Sequence, residues 1–153
     1  MLKINTLKKL ILIVIASISL ISCRKDDDKS EVTILGTWKI DKHIARYGNG
    51  STVTETLDEC QTKTNFTFSS DGTLNAIAYF KGGEQSTNCQ ISNSKGTYVY
   101  NENNMTIKFN FEGDNTSTAK VESLTSNQLI LMIIDEDFDG DGTSDQLVRV
   151  FKK

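Results

Sequence analysis

The chain predicts an all-β fold, an antiparallel meander of about eight strands closed into a barrel or packed as a sandwich. Three observations carry this expectation. Apolar and polar residues alternate at period two, most cleanly where Met105, Ile107, Phe109 and Phe111 interleave with Thr106, Lys108 and Asn110. Turn clusters recur between the alternating runs: Tyr47-Gly48-Asn49-Gly50, Ser70-Asp71-Gly72, Asn101-Glu102-Asn103-Asn104 and Gly113-Asp114-Asn115. The 153 residues include no proline, so nothing interrupts a strand ladder, and no helical period stands out beyond the first 22 residues.

The first 22 residues read as a leader. Lys3, Lys8 and Lys9 form a basic start, and Leu10 to Ile21 is a nearly unbroken apolar run. That run is short for a membrane span of roughly 20 residues and has the layout of a secretory signal peptide. Leu20-Ile21-Ser22-Cys23 resembles the lipobox of bacterial lipoproteins. The resemblance implies cleavage before Cys23 and acylation of that residue, with two or three chains giving a stable membrane anchor. Arg24-Lys25-Asp26-Asp27-Asp28 is similar to the short charged signal that sends lipoproteins of the Bacteroidetes group to the cell surface. The same residues also read as a solvated tether over 23–32. Either way the expected location is the outer membrane, on its periplasmic face or at the cell surface.

The expected folded domain is 33–153. Losing Lys3, Lys8 and Lys9 with the leader takes the formal charge from −3 to −6. A net acidic domain without a basic stripe argues against nucleic acid as a partner and against electrostatic docking on anionic lipid.

Within the domain, Ile34 to Ile40 opens the strand series and carries the only tryptophan, Trp38, on the face shared with Gly36 and Ile40. The alternation puts Thr37, Lys39, Asp41 and, by the same parity, His43 on the outer face. Ser51 to Leu57 alternates and is threonine-rich. Asp58-Glu59-Cys60-Gln61 is a polar crossing. Phe66 and Phe68 point inward, Asp71-Gly72 supplies a tight hairpin turn, and Thr73 to Phe80 returns. Lys81 to Ser94 reads as a loop, Gly96 to Tyr100 as a strand, Met105 to Phe111 as the clearest half-buried strand, and Thr116 to Leu124 as a weaker one. Gln128 to Ile134 is apolar on both faces, which suits a covered strand. Gln146 to Phe151 closes the series.

Two cysteines remain once Cys23 is set aside. In an oxidising compartment Cys60 and Cys89 are an even pair and form one disulfide, the alternatives being two free thiols or half a metal site. No CxxC spacing is present and His43 is the only histidine, so a zinc site is not expected.

Gly36-Thr37-Trp38 resembles the G-x-W signature of lipocalins. The order of Cys60, Thr67-Phe68-Ser69-Ser70-Asp71-Gly72-Thr73, Cys89 and Gly96-Thr97-Tyr98 is similar to the lipocalin-like domains of secreted Bacteroidetes lipoproteins. In that group a tryptophan often follows the second Gly-Thr; here Tyr98 stands in its place. The resemblance spans about residues 34–153 and implies a small barrel. It names no ligand, since a barrel alone does not fix a function.

One stretch carries chemistry. Residues 135–145, from Asp135 to Asp145, hold Asp135, Glu136, Asp137, Asp139, Asp141 and Asp145. Asp137, Asp139 and Asp141 at alternate places, then Gly142, resemble the D-x-D-x-D-G loop of helix-loop-helix calcium sites, dockerins and thrombospondin type 3 repeats. The resemblance implies Asp137, Asp139 and Asp141 as side-chain ligands, Thr143 as a carbonyl ligand and Asp145 as a direct or water-mediated ligand of Ca2+. The bidentate glutamate of the helix-loop-helix version would fall on Val148, or on Gln146 if the loop starts at Asp135. A weak site in the ~10⁻⁴–10⁻³ M range is the expectation. The competing reading is a solvated acidic hairpin.

No nucleophile elbow, phosphate loop or dinucleotide fingerprint occurs, and no base stands with a nucleophile, so a catalytic activity is not expected. Two functions compete: a lipid-anchored binding module for a small apolar or amphipathic ligand or a glycan fragment, and a filled barrel that meets a protein partner as an inhibitor or envelope assembly factor.

Overall fold

The computed structural model describes residues 32–83, 87–113 and 116–153. The leader, Cys23 and the tether up to residue 31 lie outside the described residues. From Glu31 to Lys153 the chain forms one compact unit by itself.

That unit is an antiparallel barrel of nine strands: β1 (Gly36–Arg46), β2 (Thr52–Glu55), β3 (Asn65–Phe68), β4 (Thr73–Lys81), β5 (Cys89–Asn101), β6 (Thr106–Phe111), β7 (Ser117–Leu124), β8 (Gln128–Glu136) and β9 (Asp145–Lys152). Strands β3 to β9 pair in chain order, and β1 closes the wall by pairing with β3 on one side and β9 on the other. Strand β2 lies along the second half of β1, His43 to Arg46, where β3 no longer reaches. The two short strands therefore share one place in the wall, which makes an eight-position barrel. Among the described residues β2 pairs with β1 alone, so its outer edge is free.

The interior follows from the alternation. Trp38 is wholly buried, and its indole N–H donates to the Ile34 carbonyl at 2.7 Å. Lys153 places its ammonium 4.5 Å from the centre of the indole ring, a cation–π contact that covers this end of the barrel. Ile40, Phe68, Leu74, Ile107, Val121, Leu129, Leu131 and Phe151 complete the core. The Asp71-Gly72 turn forms as expected. Gly72 has φ +83°, and Asp71 accepts hydrogen bonds from the Thr73 N–H and hydroxyl at 2.9 and 2.7 Å. Tyr98 fills the tryptophan place of the resemblance, and its hydroxyl donates to the Ser69 carbonyl at 2.9 Å.

The structure corrects four expectations. Strand β1 does not end near Ile40 but runs to Arg46, because β9 and then β2 supply partners along its full length. Strand β5 begins at Cys89 instead of after Ser94, since β4 continues to Lys81 and pairs with it throughout. Met105 stands outside β6 with φ +52°, completing the turn from Asn101.

The fourth correction concerns His43. The register of β1 against β9 slips by one residue between Ile40 and Lys42. Such a bulge reverses the alternation beyond it. His43 stands opposite Arg149, Arg149 opposite Leu131, and Leu131 opposite Val121. Directly paired residues of neighbouring strands project from the same face, and Leu131 and Val121 belong to the core. His43 and Arg149 therefore face the interior.

Candidate functional site

The interior is apolar around Trp38 and becomes polar along one row of the wall. Phe66, Tyr98, Tyr100, Phe109 and Phe111 pack on the core yet keep partial solvent access. Edge-to-face contacts fix several of these rings: Phe68 with Tyr98 at 4.9 Å between centroids, and Phe66 with Phe151 at 5.5 Å. Burial holds the phenols of Tyr98 and Tyr100 above the usual tyrosine range.

The polar row is Glu55 on β2, His43 on β1 and Arg149 on β9. His43 Nδ1 lies 3.0 Å from a Glu55 carboxylate oxygen. His43 Nε2 and Arg149 Nε are both buried and have no hydrogen-bond partner among the described residues. Burial pushes the Arg149 guanidinium down from its ordinary value. Elsewhere Arg46 grips Glu122 with two bonds, at 2.7 and 2.9 Å, tying β1 to a strand that is not its neighbour in the sheet. Residue Glu122 sits at a second register slip, between Val121 and Ser123.

A separate open depression of about 510 Å³ lies where β4, β5 and β6 meet. Its floor passes Leu74, Gly96 and Phe111. A Cβ on Gly96 would collide with the Asn110 carbonyl oxygen and come within 2.9 Å of Phe111 Cα, so glycine is what lets β6 fold this closely onto β5.

The acidic loop joins β8 to β9. Asp137, Asp139 and Asp145 each offer a carboxylate oxygen within 4.8 Å of the others. Asp145 is fully buried at the start of β9. One of its oxygens accepts from the Gly48 N–H at 2.9 Å; the other accepts from Phe138 N–H at 2.7 Å and Asp139 N–H at 3.3 Å. It thus ties the loop to the β1–β2 turn, where Gly48 has no room for a Cβ against the Thr143 side chain. Asp137 accepts from Gly140 N–H at 2.7 Å and Gly142 N–H at 2.9 Å. Asp141 lies outside this group of three. Its carboxylate is held by the Thr143 hydroxyl and backbone N–H, which keep it below the usual carboxylate range. Asp135 accepts from the Ser144 hydroxyl. The alternate spacing read in the sequence therefore brings two of its three aspartates together with the more distant Asp145.

Cys60 and Cys89 are bonded, with Cα atoms 5.4 Å apart. The disulfide ties the 3-10 turn at Gln61–Lys63 to the start of β5. Cys23 lies outside the described residues.

Sequence reasoning put His43 on the outer face, because the bulge at Asp41 leaves no mark in an alternating pattern, and it could not place Arg149 and Glu55 beside it without the pairing of β9 and β2 with β1. The close approach of Thr143 to Gly48, a residue the sequence shows only as part of a turn cluster, and the burial of Asp145 depend on the loop packing.

Comparison with curated proteins found no match. Among solved structures the chain is similar to a deswapped triple mutant of bovine odorant binding protein, at 21% identity, covering 77% of this chain and 72% of that one with a TM-score of 0.41. It is similar to the bovine lipocalin allergen Bos d 2, at 17% identity, covering 82% and 75% with a TM-score of 0.43. Aphrodisin, a sex pheromone from female hamster, aligns at 17% identity over 79% of this chain and 75% of that one, with a TM-score of 0.41. Residues 34–131 match the family model of the lipocalin-like domain. That span holds the Gly36-Thr37-Trp38 signature, both disulfide cysteines and strands β1 to β7, and it assigns the chain to the family of lipocalin-like domains.

Proposed function

We propose that this protein is a non-catalytic binding module, anchored in the outer membrane through lipid on Cys23, whose barrel takes a small apolar or amphipathic ligand or a glycan fragment. The observation that carries this reading is the state of the inner aromatics. In a barrel filled by its own side chains, inward rings are wholly buried. Here Phe66, Tyr98, Tyr100, Phe109 and Phe111 keep partial solvent access although all five pack against the core. Rings on one wall with polar groups on another are the lining that small-molecule sites use. Proteins of the lipocalin family are typically non-enzymatic binders, which agrees with the lack of a base beside a nucleophile.

The test is titration of residues 24–153, produced without the lipid site, with the neutral fluorescent probe N-phenyl-1-naphthylamine. Saturable binding of one probe per chain is the expected result. Fluorescence that rises without saturation would transfer the protein to the rival class, a filled barrel that meets a protein partner.

A calcium-holding role for the acidic loop is a second reading, favoured by the convergence of Asp137, Asp139 and Asp145. Calcium needs six to eight oxygens, so the Asp141 carboxylate and Thr143 carbonyl, the remaining positions of the D-x-D-x-D-G pattern, would have to join the three carboxylates. Ca2+ would be expected to raise the melting temperature of the parent chain but not that of Asp137→Ala/Asp139→Ala. An identical rise in both would sink this reading.

A further inference from the structure

We infer that Arg149, with His43 beside it, receives an anionic headgroup, so that the ligand of the barrel is a carboxylate-bearing amphiphile. This rests on the binding-module reading and names the ligand class for the same interior. Arg149 projects inward from the middle of β9, opposite core residue Leu131 on one side and His43 on the other. It makes no ion pair among the described residues, and its Nε is buried without a partner. Glu122 is held by Arg46, Asp41 by Lys152 at 2.7 Å, and Glu55 by His43. A guanidinium stays charged at neutral pH even when burial opposes it. An uncompensated charge under a protein surface is unfavourable unless a counter-charge arrives.

The neighbouring imidazole points the same way. Glu55 engages Nδ1 and so sets the plane of the ring, while Nε2 stays buried and unused. Across the wall the row reads Val121, Leu131, Arg149, His43, Glu55, from hydrocarbon to charge. An amphiphile entering at the polar end of this row would set its head at the fork of Arg149, the geometry that binds carboxylates with two parallel bonds. The free edge of β2 borders the polar end of the row and offers a lateral way in.

The experiment compares dodecanoate with dodecan-1-ol, two probes that share a chain and differ in head charge, as displacers of N-phenyl-1-naphthylamine. The parent protein is expected to prefer dodecanoate by roughly 10- to 100-fold, the range of a charge-assisted hydrogen bond. Arg149→Met is expected to abolish that preference while keeping affinity for the alcohol, and to melt no lower than the parent without ligand, since it removes an unpaired charge at similar volume. Arg149→Lys keeps the charge without the fork and should lose several-fold of the preference; this variant serves if Arg149→Met does not fold. Equal affinity of the parent for both probes, or an undiminished preference in the Arg149 variants, would overturn the inference while leaving the binding-module reading intact. Displacement by neither probe would count against both.

Discussion

At the scale of single residues, the strongest local demands come from groups whose neighbours leave no alternative. Asp145 is one. Buried and holding three backbone N–H groups from two separate loops, it acts as the knot of the β8–β9 end whether or not a cation is present. Asp145→Asn keeps the size but replaces one accepting oxygen with a donor facing N–H groups. It is expected to destabilise by about 2–3 kcal/mol in urea unfolding, and equally in the presence of a chelator. Asp139→Ala, exposed at the loop surface, is expected to be near neutral in chelator. Gly96 is the second demand. Gly96→Ala forces a methyl group into the β6 backbone, so a loss of about 1–3 kcal/mol is expected by the same assay. Both values would be checked against Gly83→Ala, where a Cβ meets nothing within 4 Å.

At the scale of elements, the segment between β2 and β3 is short on regular structure and long on constraint. Asp58 and Gln61 cap each other. The Asp58 carboxylate accepts from the Cys60 and Gln61 N–H groups at 2.7 and 2.8 Å, and the Gln61 side chain accepts from the Asp58 N–H at 2.8 Å. These bonds, the one to Gln61 foremost, hold the Asp58 carboxyl below the usual range. A depressed carboxylate contributes stability above its unfolded pKa and loses it as pH falls through the folded value. Amide exchange at Cys60 and Gln61 is therefore expected to be slow at neutral pH and to gain protection loss specifically on acidification below the ordinary aspartate range, an effect that Asp58→Asn should remove. The disulfide closes 29 residues of sequence separation around this segment and the β3–β4 hairpin. In the chain-entropy picture, Cys60→Ala/Cys89→Ala is expected to lower unfolding free energy by about 3–4 kcal/mol, read from the urea midpoint. The bulges at Asp41, Glu122 and Ile133 belong to this scale too. Each turns its own strand's alternation over, and the one at Asp41 brings the His43 imidazole to the face opposite the outer one that simple alternation assigns to it.

At the scale of the whole molecule, the proposal divides the work between two parts: the lipid on Cys23 would fix the place and the barrel would hold the ligand. Cys23→Ser is expected to shift the protein from the membrane pellet to the soluble envelope fraction while leaving probe binding unchanged. Persistence in the pellet, resistant to salt, would remove the anchor from the account.

The β class, the strand count, the Asp71-Gly72 turn and the inward place of Trp38 were legible before any coordinates, because period-two alternation and turn chemistry are local properties written residue by residue. The pairing of Cys60 with Cys89 was legible by counting. The end of β1, the start of β5, the inward turn of His43 and the isolation of Arg149 were not. They depend on which strand lies alongside and where its register slips, and a single extra residue in a ladder changes faces without changing composition. The same holds for the acidic loop, whose spacing named five ligand positions while packing against Gly48 decided which carboxylates meet. Sequence by itself thus determined the kind of wall this protein builds; closure of that wall, through long-range pairing of β1 with β9, decided what faces the inside.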